Sequence, residues 1–245
     1  MAILEEKSLW VSCGWRFYHS ELSLEENQYW YGDLHSQTGA GGNFLLSFQW
    51  ELLPDLQNEL VNKLDTHIRD ISQKWDHKFL NDVFGDKIFS PENLVQELGV
   101  QVQSVAIKGV KWRGVKIRFS EKQNAVWSFG TPVEHHLQVR LQSLIKSSSE
   151  KKQFQGVDAK VTLNFSGEKM PQTFTWIPVQ EVWDWEKIQL PDILRTQSLD
   201  EWLGVSLVEE LPEALYHQLQ RQWPNLKGLH LQLDPHFSLG FCANK

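Results

Sequence analysis

Two hydrophobic periods alternate along this chain, and their order restricts it to a small set of folds. Phe44, Leu46 and Phe48 alternate with Leu45, Ser47 and Gln49, the two-residue period of a strand with one buried face. Leu56, Leu60, Leu64, Ile68, Ile71 and Trp75 follow at three- and four-residue steps, the period of a helix. Pro54 is placed to open that helix, because a first-turn N–H has no partner to lose. The pattern predicts a strand over 10–18, a polar link at Ser23–Asn27, a strand over 44–52 and a helix over 54–75. A second helix starts at Ser90, a candidate N-cap, with Pro91 in its first turn. Val115, Ile117 and Phe119 then alternate with Lys116 and Arg118, and residues 125–129 close a hairpin.

After Thr131-Pro132 the pattern starts again. Leu137, Val139 and Leu141 alternate, as do Val161, Leu163 and Phe165, which predicts a hairpin around the polar tip 147–156. One or two short helices are expected within 183–202. Leu207, Leu211, Leu215, Leu219 and Trp223 stand at four-residue steps in a helix that Pro224 stops. Leu229, Leu231 and Leu233 alternate, and "FSLGF" closes the last hairpin. The two halves end alike, in "KGVKWRGVKIRFSEKQNAVWSF" and "RQWPNLKGLHLQLDPHFSLGF". The expectation is an α+β fold, ββααββ twice, in units 1–131 and 132–245. Four antiparallel strands with helices on one face leave the other face bare and the edges open. Repeating the unit around a ring closes the sheet into a barrel, so a homo-oligomer is expected.

Composition narrows the function classes. A net charge of −7 without a basic face argues against nucleic acid as a partner. No apolar run approaches the ~18 residues of a membrane span. The start, "MAILEEKSLW", reads as neither a secretory signal nor a transit peptide. Cys13 and Cys242 are too few for a disulfide framework, so a reducing, cytoplasmic setting is expected. The twelve tryptophans either fill a β-rich core or an interface, or offer a stacking surface for a flat heterocycle. Composition leaves both readings open.

Several local words occur in order: "VSCGW" (Val11–Trp15) followed by Arg16 and Tyr18, "LSLEEN" (Leu22–Asn27), Tyr31-Gly32, Gly39-Ala40-Gly41-Gly42-Asn43-Phe44, "WDHKFLND" (Trp75–Asp82) and "FSPENL" (Phe89–Leu94). Together they resemble the 6-pyruvoyl-tetrahydropterin synthase and 6-carboxytetrahydropterin synthase family of tunnelling-fold (T-fold) proteins. The resemblance implies a zinc ion held by three histidines, with a cysteine nucleophile or base. The histidine positions here are Trp15, Ala40 and Gly42, and the cysteine position is Leu34. None of the first three offers zinc a ligand. The family's pterin-holding glutamate falls on Phe119, with Glu121 available in a neighbouring register. Asp76, His77 and Glu92 remain. In the family the Asp-His pair moves protons with the cysteine; beside Leu34 it is either a catalytic remnant or a structural tie at the end of the first helix. Glu92 either faces a pocket or serves the dipole of its helix. In the second half "LVEELPEAL" and the final hairpin look like the family's, placing Glu209 or Glu210 where Glu92 sits, with Asp234 on the turn after the strand.

The Gly39–Gly42 loop enters a strand rather than a helix, so it is not a phosphate cradle. His19, His35, His135, His136, His217, His230 and His236 show no paired-ligand spacing and read as surface or core residues; no metal is expected. Trp15's indole is expected to occupy or cover the space of the lost metal. Three functions compete. The first, which is expected, is a non-catalytic T-fold protein acting by assembly, or by binding a protein partner or a ligand, without a cofactor. The second is a lyase of the resembled type with a rearranged site and zinc. The third is a metal-free pterin or purine binder using Glu92, Glu121 or Glu209.

Overall fold

A computed structural model describes residues 3–52, 58–85, 90–146, 154–167, 175, 177–234 and 237–242. The chain forms an α+β structure in two compact units, one of Met1–His135 joined by Lys169–Thr175, the other of His136–Glu168 and Trp176–Lys245.

In the first unit β1 (Ile3–Trp15), β2 (Ala40–Leu52), β3 (Lys78–Phe79), β4 (Val110–Arg118) and β5 (Gln123–Ser128) lie in the order β3-β1-β2-β4-β5. β1 and β2 pair antiparallel without a break from Ile3↔Leu52 to Trp15↔Ala40. β3 joins β1 in parallel at Cys13 and Gly14. The strand expected to begin at Trp10 thus begins at Ile3. Its even-numbered residues are outside and its odd-numbered residues inside, a period hidden by Glu5 and Lys7 at half-buried inner positions.

Two helices, α2 (Asn58–Trp75) and α4 (Pro91–Gln103), lie against this sheet. Leu64, Ile68, Ile71 and Trp75 are buried on α2, and Leu94, Val95, Leu98 and Val102 on α4. Val11, Trp15, Phe44, Leu46, Phe48 and Ile117 are buried on the strands. Each such side chain contributes roughly 1.5–3 kcal/mol of burial. Ser90 caps α4 as expected, accepting the Asn93 N–H at 3.3 Å. Gly99 lets the helix approach β5, since a Cβ there would come within 2.3 Å of the Trp127 ring. Pro54 and Leu56 lie outside the described residues.

The expected polar link is instead a helix, α1 (Leu24–Tyr31), with a 3-10 turn at Gly32–Leu34. Ser23 and Glu26 form a reciprocal capping box, at 2.8 Å and 3.1 Å. Buried Asn27 holds the entry by donating to the carbonyls of His19, Leu22 and Ser23. A short helix, α3 (Leu80–Phe84), also interrupts the expected ββααββ order.

In the second unit β6 (Glu134–Lys146), β7 (Phe154–Phe165), β8 (Leu226–Asp234) and β9 (Phe237–Cys242) follow one another in the sheet. Between β7 and β8 the helices are more broken than expected: α5 (Val179–Asp184), a π turn (Trp185–Gln189), α6 (Leu190–Leu194) and α7 (Leu199–Leu203). Pro191 explains the π turn, because it has no N–H to give the carbonyl four residues back. A 3-10 turn (Val208–Glu210) then leads into α8 (Leu211–Gln220), so the helix expected from Leu207 starts later. Trp185, Trp223 and Phe165 pack edge to face, and the Trp223 indole N–H donates to Glu181 at 2.8 Å. Tryptophan here fills core, one of the two uses that composition allowed. The tip residues 147–153 and His236 lie outside the described residues. No helix among the described residues is long and apolar enough to cross a membrane.

Candidate functional site

Register brings Trp15, Ala40 and Gly42 onto one patch of the first unit, and a hydrogen bond joins Leu34 to it. Trp15 stands directly opposite Ala40, and Gly42 lies opposite Cys13 on the same face of the β1–β2 ladder. The Trp15 indole leans over Gly42, whose missing Cβ would lie 3.1 Å from the ring. Its N–H donates to the Leu34 carbonyl at 3.1 Å. The ring packs 4.5 Å from Phe44, Phe44 packs edge-on 4.8 Å from Phe119, and Phe17 meets Phe119 at 6.2 Å. Trp15, Leu34, Phe44 and Phe119 are all buried. Where polar ligands would be needed, the chain has an aromatic cluster. Cys13, which the sequence did not single out, borders it. Burial, with help from the charge of Asp76, pushes its thiol up to about 12, far from a reactive thiolate.

Asp76 and His77 follow the last residue of α2 and fasten that end to β1. Asp76 Oδ1 accepts the Ser12 N–H at 2.8 Å, and the His77 N–H donates to the Ser12 carbonyl. His77 reaches this position with φ 56°, a left-handed conformation uncommon outside glycine. Its Nδ1 lies 2.9 Å from Asp76 Oδ2, with the imidazole 81% exposed. The backbone hydrogen bond from Ser12, seconded by His77, holds the Asp76 carboxyl below its ordinary value. Asn81 repeats the device, accepting from the Arg16 N–H at 2.7 Å and donating to its carbonyl at 3.1 Å. The word "WDHKFLND" thus pins β1 through its own backbone groups, the structural tie of the two readings. Beside it, Trp10, Val11, Ser12, Asn43 and Asp76 line an open groove of about 460 Å³.

Glu92 is fully buried at the start of α4. Its Oε1 accepts from His135 Nδ1 and from the Thr175 hydroxyl, each at 2.9 Å. His135 Nε2 in turn lies 3.1 Å from the Gln123 amide nitrogen. Oε2 is buried without a hydrogen-bond partner among the described residues. Burial pushes the carboxyl up, the charge and hydrogen bond of His135 pull it further down, and the balance lies below the ordinary carboxylate value. Three segments distant in sequence meet at this carboxylate, which is buried from solvent.

The other candidates lie elsewhere. Glu121 is exposed on the turn between β4 and β5, and Glu209 and Glu210 are exposed on the 3-10 turn before α8. Asp234 ends β8. His35 is half-buried, its Nε2 lacks a partner among the described residues, and burial holds the ring below its ordinary value. Among the described residues no group of three His, Cys, Asp or Glu side chains could hold a metal ion. The residues at the positions that would hold zinc, Trp15, Ala40 and Gly42, do not fit one.

No protein-family model matches the chain. No curated protein matches it. A solved structure of Caenorhabditis elegans 6-pyruvoyl tetrahydropterin synthase is similar over 52% of this chain and 96% of its own length, with 18% identity and a TM-score of 0.45.

Proposed function

We propose that the chain is a non-catalytic T-fold protein, built of two T-fold units over 1–131 and 132–245, which works by assembling with copies of itself or with a protein partner. One observation carries this reading: the Trp15 indole lies against Gly42, bonds Leu34 and joins Phe44 and Phe119 in a closed apolar cluster. Zinc chemistry needs imidazole, thiolate or carboxylate donors around an open coordination position. Here the positions carry an indole, a methyl group and a hydrogen, and the nearest thiol is held protonated. Glu92 supports the same reading, since it is fully buried and its Oε1 already serves His135 and Thr175.

The test is metal content and ligand response of the purified protein. Sub-stoichiometric zinc that leaves folding unchanged on chelation, and no thermal shift with pterins, guanine nucleotides or urate, are the expected results. Stoichiometric zinc whose removal abolishes turnover of a pterin substrate would establish the lyase instead. A shift with one of the flat rings and no metal would establish the binder.

A further inference from the structure

Two cations of β4 have no acid to answer them. Val115 and Ile117 are buried beneath the helices, so Lys116 and Arg118 stand on the opposite face of the sheet. They are two residues apart, about 7 Å along the strand. That is inside the Debye length at physiological salt, so the pair repels. Their neighbours across the ladders are uncharged: Ser47 and Val126 beside Lys116, Leu45 and Asn124 beside Arg118. The carboxylates of the same face are engaged elsewhere, Glu51 with Arg113 and Glu6 with Gln49. Among the described residues neither cationic side chain has an ion pair or a hydrogen bond. Arg118 is instead held by its flat face, 5.4 Å over the Trp10 ring, which leaves its N–H edge free. Trp10, beside Leu45 in the same row, is 61% exposed. A repelling pair next to an exposed indole costs the free chain stability, and breaks of local rule of this kind mark functional surface.

We propose that this face docks an acidic segment of a protein partner, extended and with acids at alternate positions. The proposal deepens the partner-binding arm of the reading above and rests on it. Residues i and i+2 of an extended chain are about 7 Å apart, the spacing of Lys116 and Arg118. Two carboxylates so placed neutralise the pair, and the Arg118 fork, already fixed by the indole, donates two hydrogen bonds to one of them. An apolar residue beyond the acidic pair covers Trp10 and Leu45; Trp and Arg are the side chains that most often carry the binding energy of protein interfaces. Past Trp10 the open groove ends the acidic stretch. Asp76 lines it and repels further acids, while Ser12 and Asn43 offer a hydroxyl and an amide to a peptide backbone. A second copy of this chain does not fit. Its only acids at i and i+2 are Asp184 and Glu186, which lie on helical turns, where Glu186 already accepts the Arg140 N–H.

The test is fluorescence anisotropy at physiological salt with a short labelled peptide of alternating glutamate and threonine. A peptide of the same composition with its glutamates in adjacent pairs, and an oligothymidylate of equal length, are the comparisons. The alternating peptide is expected to bind, and more tightly than the paired one. Arg118→Gln, Lys116→Gln and Trp10→Ala are each expected to weaken it about three- to tenfold. Lys111→Gln, whose lysine faces Glu51, is expected to leave it unchanged. Without peptide, Lys116→Gln is expected to keep or raise the thermal midpoint, since it removes a repulsion. No binding by the unaltered chain at hundreds of micromolar overturns the proposal, as does equal binding of the two peptides. So does oligothymidylate bound as tightly through the same residues, which would make the face a general polyanion surface. A midpoint lowered by Lys116→Gln would make the lysine structural and overturn it too. None of these outcomes depends on zinc or on a flat ring, so the two readings fail separately.

Discussion

Two places in the first unit are closed, and they are closed by opposite physics. Around Trp15 the closure is apolar: an indole, two phenyl rings and a leucine fill space beside a glycine. Around Glu92 it is polar: a carboxylate removed from water is satisfied by an imidazole and a hydroxyl. The first kind of closure tolerates exchange of one apolar group for another of similar volume. The second punishes loss of any member, because the remaining groups stay buried without partners.

The largest effect is expected at the apolar place. Trp15→Ala should cost about 3–5 kcal/mol in denaturant unfolding, the usual toll of deleting a large buried aromatic. A loss below about 1 kcal/mol would mean that the ring is not packed as described. Glu92→Gln comes next, at about 1–3 kcal/mol, since the amide cannot match what the carboxylate gives His135 and Thr175. The two losses should also differ in pH dependence. Glu92 has a lowered carboxyl pKa in the folded chain, so its stabilisation is present above the unfolded value of about 4.3 and fades as pH falls through the folded one. The penalty of Glu92→Gln should therefore shrink in acid, while that of Trp15→Ala stays level. Equal pH profiles would erase the distinction between the places. The smallest effect is Gly42→Ala. Its added methyl meets the indole at 3.1 Å and should cost about 1 kcal/mol by overpacking. Made on top of Trp15→Phe, the same change should cost nothing measurable; an undiminished cost would separate Gly42 from the ring.

The places also differ in how far the sequence revealed them. Trp15, Ala40 and Gly42 are legible because the local words that carry the resemblance mark them, and the β1–β2 pairing then sets them on one face. The capped start of α4 and the face of α2 are legible for the same reason, since the signals are local. α1 carried a local signal too, the Ser23–Glu26 capping box, obscured by its polar composition. The Glu92 network is different. His135 and Thr175 reach Glu92 from 43 and 83 positions away, and nothing periodic links them. Glu121 and Glu209, the candidates the resemblance offers, are exposed, and exposure is a tertiary property that a single glutamate does not signal. The π turn before α6 follows from Pro191, and no apolar period over 183–202 marks where that region's short helices begin and end.

On the proposed reading, Trp15 stands in space that imidazoles at positions 15, 40 and 42 would use to hold a metal. Zinc titration of the triple variant Trp15→His, Ala40→His, Gly42→His tests it most directly, with circular dichroism confirming the fold. Removing the indole also removes the obstacle to a side chain at 42. One zinc bound per chain is expected of the variant and none of the unaltered protein at the same concentrations. A folded variant that binds no more zinc than the unaltered chain would contradict it.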